Sequence, residues 1–223
     1  MRAEPRPAWY ALESGGWRDY VTLLHPPYTA WHLSYVAVGA ALAPTFSWTR
    51  LGAAIGAFAL ALGIGAHALD ELQGRPLRTR IPRPVLWALA ATSIGGAVAI
   101  GIYGSVAWTG WLLPFVGVGV FVVFAYNLEL FGGAFHSDLW FALAWGALPL
   151  LSAYVVQAET IRWEAVAAAL WATLTSLAQR TLSRPVREAR RSRADVEPTL
   201  ERALRLLTAA TIAIAVALLA LHL

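Results

Sequence analysis

Asp70 and Glu71 stand where a long apolar segment runs out, followed closely by Arg75, Arg78, Arg80 and Arg83. An acid in or at the edge of a bilayer is costly to keep, and by default it marks a metal, a proton path or a substrate. Carboxylates able to hold a divalent ion, beside guanidiniums able to hold phosphate, point to chemistry on a phosphorylated substrate at a membrane face. His67, Asp70 and Glu71 follow the i, i+3, i+4 spacing that places side chains on one helix face, so all three can reach one ion. Two carboxylates and an imidazole, completed by water and phosphate, suit magnesium. Gly74 and Pro76 end the helix and turn Arg75 and Arg78 back toward the acids, where a planar fork can take diphosphate oxygens. The plainer alternative is a helix end at which Asp70 or Glu71 pairs with a nearby arginine.

A second group of the same chemistry lies further down the chain. Gln179 and Ser183, with Ser176 one turn earlier, share a face of a segment that also carries Arg180 and Arg187. These residues could form a second phosphate-facing patch, and no carboxylate occurs there before Glu188. Glu129, His136 and Asp138, in the loop between two apolar segments, could supplement the first cluster across a bundle. Their spacing matches no recognised metal motif, and a glycine turn in an interfacial loop explains them nearly as well.

The elements that must position these groups are helices in a membrane. Of 223 residues, 58% are hydrophobic and 13% charged, which does not describe a soluble domain of this length. There is no cysteine, so disulfides, thiolate zinc sites and iron–sulfur clusters are excluded. There is no lysine either, which excludes a lysine Schiff base and with it a retinal protein. Seven stretches are apolar and long enough to cross a bilayer: about 28–48, 51–70, 84–104, 108–127, 139–157, 164–180 and 204–222. The expected fold class is therefore all-α, a polytopic membrane helical bundle of about seven transmembrane helices. Residues 1–27 form an interfacial segment and 28–223 a single transmembrane domain. With the N-terminus inside, fifteen of the seventeen arginines fall in inner regions and only Arg50 and Arg162 outside. This predicts a cytoplasmic N-terminus, a C-terminus on the opposite side, and all the chemically rich loops on the cytoplasmic face. The arginines from Arg180 to Arg205 can equally serve as a topology signal that binds anionic lipid. Nothing surrounds them that would make a nucleic-acid site.

Four stretches resemble the UbiA superfamily of intramembrane prenyltransferases. Leu23-Leu24-His25-Pro26-Pro27, leading to Gly39-Ala40-Ala41-Leu42, is similar to the entry of that family's first helix. Gly65-Ala66-His67-Ala68-Leu69-Asp70 through Arg75-Pro76-Leu77 resembles its first aspartate-rich motif and the Arg-Pro-Leu after it. Leu143-Ala144-Trp145-Gly146-Ala147-Leu148-Pro149-Leu150-Leu151 resembles its fifth-helix signature, and the 181–203 loop occupies the place of its second aspartate motif. The likeness spans most of residues 20–205. It implies a bundle with a lipid-open cavity, Mg2+ bridging Asp70 and Glu71 (with His67) to a prenyl diphosphate, and Arg75, Arg78, Gln179, Arg180 and Arg187 on the diphosphate. Tyr35, Tyr126, Trp145 and Tyr154 are the candidate aromatic faces for an allylic cation, which a lipophilic acceptor would capture. The chain departs from the family at Ala66 and His67 where asparagine and an acid open the motif, and at Gly74 where a later aspartate falls. Gln179, Arg180 and Ser183 replace the second motif, and seven helices stand for the usual nine. The expected activity is magnesium-dependent prenyl transfer to a lipophilic acceptor within membrane lipid. The alternatives are a non-catalytic isoprenoid- or anionic-lipid-binding protein and a UbiA-type terpene cyclase.

Overall fold

The computed structural model describes residues 7–223, so the first six residues of the expected interfacial segment lie outside the described residues. Among the described residues the chain is helical throughout, with no strand. A short helix α1 (Trp17–Leu23) precedes α2 (Pro26–Ala41), whose first turn is built on prolines that have no N–H to leave unpaired. The hydroxyl of Ser47 accepts the Arg50 N–H and caps α3 (Trp48–Leu72). Gly74, Arg75 and Arg78 then take positive φ values of 79°, 54° and 55° in a tight loop. Pro82 and Pro84 open α4 (Arg83–Ala107), which is followed by α5 (Leu112–Asn127). A turn through Gly132 and Gly133 leads to α6 (Asp138–Ala158), capped by Ser137. The long α7 (Trp163–Ser192) and α8 (Pro198–Leu219) complete the order.

Helices α3, α4, α6 and α8 are each long and apolar enough to cross a membrane. The sequence predicts about seven such segments, and the other three fall short of that standard for separate reasons. Helix α5 is apolar but only 16 residues long. Helix α2 stops at Ala41, because residues 43–47 turn where Thr45 donates to the Gln157 carbonyl and Gln157 bonds both backbone groups of Ser47. Helix α7 interrupts its apolar run with Thr173, Ser176 and Gln179, all buried, and continues past residue 180 to Ser192.

Two helices are underwound inside their apolar runs. Ala59–Ala66 in α3 and Leu143–Ala147 in α6 adopt π-helical hydrogen bonding, a local widening often found at functional sites. Pro149 supplies a cause for the second. It has no N–H to give the Trp145 carbonyl four residues back, and His32 Nδ1 from α2 takes that carbonyl instead, at 2.9 Å. The neighbouring Gly146 lies against α7 so closely that a Cβ there would stand 2.8 Å from the Ala172 carbonyl oxygen. One apolar core forms around Leu69, Leu86, Tyr126 and Trp145, and a second around Trp31, Tyr35 and Leu150.

Candidate active site at the arginine-rich end of the bundle

The last turn of α3 carries Asp70 past its π segment to a place where four other elements meet. Asp70 is half-buried, and its charged neighbours are Glu71, His136, Arg187 and Arg180. Among the described residues no hydrogen bond or ion pair occupies its carboxylate. Arg187 on α7 has Tyr28, Tyr126 and Arg180 as neighbours, and its Nε is buried without a partner. Gln179, one helical face away, leaves its buried Oε1 unpartnered while its side chain lies beside the Tyr28 hydroxyl. A carboxylate and a guanidinium are therefore neighbours without forming an ion pair. Buried polar groups left open in this way are rare enough to call for an explanation.

The pocket has an aromatic floor. Tyr126 stacks on His136 at 4.4 Å and leans on Trp145 at 4.7 Å, and Trp145 stacks on Phe141 at 5.6 Å. Arg180 sits 4.9 Å over the Phe141 ring and gives its Nε–H to Asp138 Oδ1 at 2.8 Å. Below this floor an apolar cleft opens between α3, α4, α5 and α6. It encloses about 750 Å³, counting the part open to its surroundings, and runs toward Trp108. Small residues leave room for it: Ala53, Ala57 and Ala61 on α3, Ala97 and Gly101 on α4, and Gly119 on α5. A smaller cleft shares Phe58, Ala61, Gly119 and Val123 with it and ends on Trp145.

The roof comes from the N-terminal segment. Tyr10 Oη lies 2.5 Å from His25 Nδ1, and the His25 ring stacks on His67 at 4.1 Å. Burial, and then the neighbouring Tyr28 and Asp70, raise the Tyr10 phenol well above its ordinary range. Burial, and then His67, His32 and Arg187, push the His25 imidazole well below its own. Both groups are neutral at neutral pH.

The remaining predicted residues divide by what holds them. Glu71 is fully buried, but its carboxylate faces the 74–81 loop. Oε2 accepts the Leu77 N–H at 2.9 Å, and Oε1 accepts the Thr79 N–H and hydroxyl at 2.8 Å each. Arg75 closes the same loop from outside, donating to the Thr79 and Ile81 carbonyls at 2.9 Å, and Arg78 is exposed. His67 donates its Nδ1–H to the Gly63 carbonyl at 3.1 Å. The expected cluster of His67, Asp70 and Glu71 does not assemble, and among the described residues no three His, Asp or Glu side chains converge on a metal position. Of the four aromatic candidates, Tyr126 and Trp145 meet in the floor. Tyr35 is buried between α2 and α7, bonded to Thr175 at 2.7 Å and Ser176 at 3.1 Å. Tyr154 bonds Glu164 at 2.6 Å where α6 hands over to α7. Neither reaches the pocket.

Sequence reasoning missed Tyr10, His25, Tyr28 and His32 as site residues. His25 carried a signal: a histidine before two prolines, forced to a left-handed φ of 44° at the α2 N-cap, where the residue before proline is already restricted. The test for magnesium rests on Asp70 alone. One unpaired carboxylate facing arginines fits an ion that takes one or two carboxylates and completes its shell with water and substrate phosphate. Glu71 and His67 do not fit that role. No protein-family model, curated protein or solved structure matches this chain.

Proposed function

We propose that the protein is a membrane-embedded transferase that moves a prenyl group from an isoprenoid diphosphate to a lipophilic acceptor, built on a seven-span, UbiA-like bundle with its site on the cytoplasmic face. The observation that carries this reading is the junction of two environments. Unspent charge around Asp70 and Arg187 stands beside an aromatic cluster, and Trp145 of that cluster also lines the smaller of two adjoining apolar clefts. A diphosphate head with an isoprenoid tail has that polarity.

In this mechanism Arg187 and Gln179 hold the diphosphate, and Arg180, already fixed by Asp138, adds charge from the side. Asp70 would hold magnesium, whose chemistry when bound would be to neutralise charge on the leaving group. The bond between the allylic carbon and the diphosphate oxygen breaks with its electron pair leaving on the diphosphate. Fixed guanidiniums favour that charge more than they favour the intact substrate, which is what accelerates departure. The faces of Tyr126 and Trp145 stand next to the positive carbon and stabilise it, as aromatic faces do cations. The absence of a second carboxylate cluster favours a second reading, a protein that binds isoprenoid phosphates and does no chemistry. Diphosphate release by the purified protein, from prenyl diphosphates of several lengths with a lipid extract as acceptor, separates the two. Magnesium-dependent release that Asp70→Asn abolishes is the expected result. Binding without any release would leave only the binding protein.

A further inference from the structure

Arg187 Nε and Gln179 Oε1 are buried with no partner, so a ligand reaches them only when something that covers them moves. Helices make up most of the cover, each held by its own backbone hydrogen bonding. Residues 7–16 are different, because they form neither helix nor strand. Tyr10 turns inward from this strap, with Tyr28, Asp70, Arg187 and Arg190 as neighbours, and meets the Tyr28 ring edge-on at 5.7 Å. Side chains fasten the strap to the bundle. Tyr10 Oη lies 2.5 Å from His25 Nδ1, and the Arg205 guanidinium sits 4.6 Å over the Trp9 ring. The Thr22 hydroxyl accepts the Leu12 N–H at 3.0 Å, and Asp19 accepts the Gly15 N–H at 2.9 Å. The strap ends at Gly15 and Gly16, with φ values of 127° and 62°, where an added Cβ would meet nothing. Glycine adopts such backbone readily and other residues do not, and the free space leaves the chain room to turn. Beyond the two glycines α1 is fixed, since Asp19 also accepts the Arg80 N–H at 2.8 Å.

We propose that residues 7–16 are a hinged lid, which swings out about Gly15 and Gly16 to admit a phosphorylated head to Arg187 and Gln179 and then reseats through Trp9 and Tyr10. The identity of that ligand rests on the transferase reading above. Lids are drawn from the least stable parts of a fold, and a strap held by a few side-chain contacts opens at far lower cost than a packed helix. A few residues at the end of an element absorb the dihedral change, which is the place Gly15 and Gly16 occupy. Reseated, the strap keeps water away from the reacting carbon, as closure does in other enzymes. Trp9 and Tyr10 are latches in this account and take no part in the chemistry.

The test uses the full chain in lipid nanodiscs and exploits its lack of cysteine. In Gln179→Cys, a thiol replaces a side chain that is 7% exposed, and a sulfonate-bearing methanethiosulfonate, a small water-soluble anion, reports each opening by labelling it. Adding Trp9→Ala and Tyr10→Phe is expected to speed labelling about tenfold, the combined size of one cation–π contact and one hydrogen bond. Separately, Trp9→Cys with Arg205→Cys is joined by a reducible bifunctional thiol reagent, which holds the strap down. The linked protein is expected to bind farnesyl diphosphate at least about tenfold more slowly than after reduction, because opening gates entry. Equal labelling rates with and without the latches, or equally fast binding when linked, overturns the lid and leaves the transferase reading standing. Farnesyl diphosphate that does not bind even after reduction overturns the transferase reading, and the labelling comparison then decides the lid by itself.

Discussion

Consecutive residues on a helix point about 100° apart, and that rotation separates the duties of Asp70 and Glu71. Glu71 turns under the 74–81 loop and organises it with three accepted hydrogen bonds, while Asp70 faces the arginines of α7. Glu71→Ala strands the Leu77 and Thr79 N–H groups in a buried loop, each worth about 1–3 kcal/mol when left unsatisfied. Thermal or denaturant unfolding in detergent should therefore show Glu71→Ala destabilised by roughly 2–4 kcal/mol. Asp70→Asn, which removes no hydrogen bond, should change stability by less than about 0.5 kcal/mol. Equal losses for both would mean that Asp70 is structural too. Composition and an apolar context identify this pair as special, but helical spacing alone cannot say which carboxylate a distant loop will claim. The same limit applies to Arg75: its type and position suit a phosphate, yet a positive φ directs it back onto the Thr79 and Ile81 carbonyls. Gln179 and Arg187 were legible because their helical phase survives unchanged in α7.

At the scale of elements, the site depends on helices that depart from regular winding. Pro149 and Gly146 are neighbours in α6 with complementary effects. The proline frees the Trp145 carbonyl for His32, and the glycine lets α7 approach closely enough to bring Arg180 over Phe141. Gly146→Ala inserts a methyl group 2.8 Å from both the Ala172 carbonyl oxygen and the Ser176 hydroxyl. Overpacking of this kind costs about 1–3 kcal/mol, and it pushes α7 away from the floor. The expected outcome is a lower unfolding midpoint together with weaker diphosphate binding, read by thermal denaturation and ligand titration on the same preparation. A midpoint shift with unchanged binding would show that the α6–α7 contact does not set the site. Apolar length located every long helix. It could not reveal the π segments; the one in α6 arises where Pro149 has no N–H for the Trp145 carbonyl and His32 of a distant helix takes it.

Over the whole molecule, polarity is segregated along the bundle. Asp19 ties the N-terminal segment to the 74–81 loop by accepting from Gly15 and Arg80, and Arg205 of α8 rests 4.6 Å over Trp9. At the other end Arg50 bonds the carbonyls of Val156 and Gln157 and the Glu159 carboxylate. Between these ends lie four helices fit to cross a membrane and the apolar slot. Arginine distribution in the sequence already separates one polar end from the other, whereas the slot was hidden. It is made of alanine and glycine positions on three different helices, which become a surface only when the helices are packed.

The central claim is that one ligand fills both the Arg187 pocket and this slot, and equilibrium binding of farnesyl diphosphate in nanodiscs tests it most directly. Arg187→Gln removes the head contact. Ala61→Phe, at the junction of the two clefts, blocks the tail, where each buried methylene contributes about 0.8 kcal/mol. Either substitution should weaken farnesyl diphosphate binding by at least about tenfold, the equivalent of 1.4 kcal/mol. Ala61→Phe alone should leave inorganic diphosphate binding as it was. Farnesyl diphosphate binding unaffected by both substitutions would contradict the account.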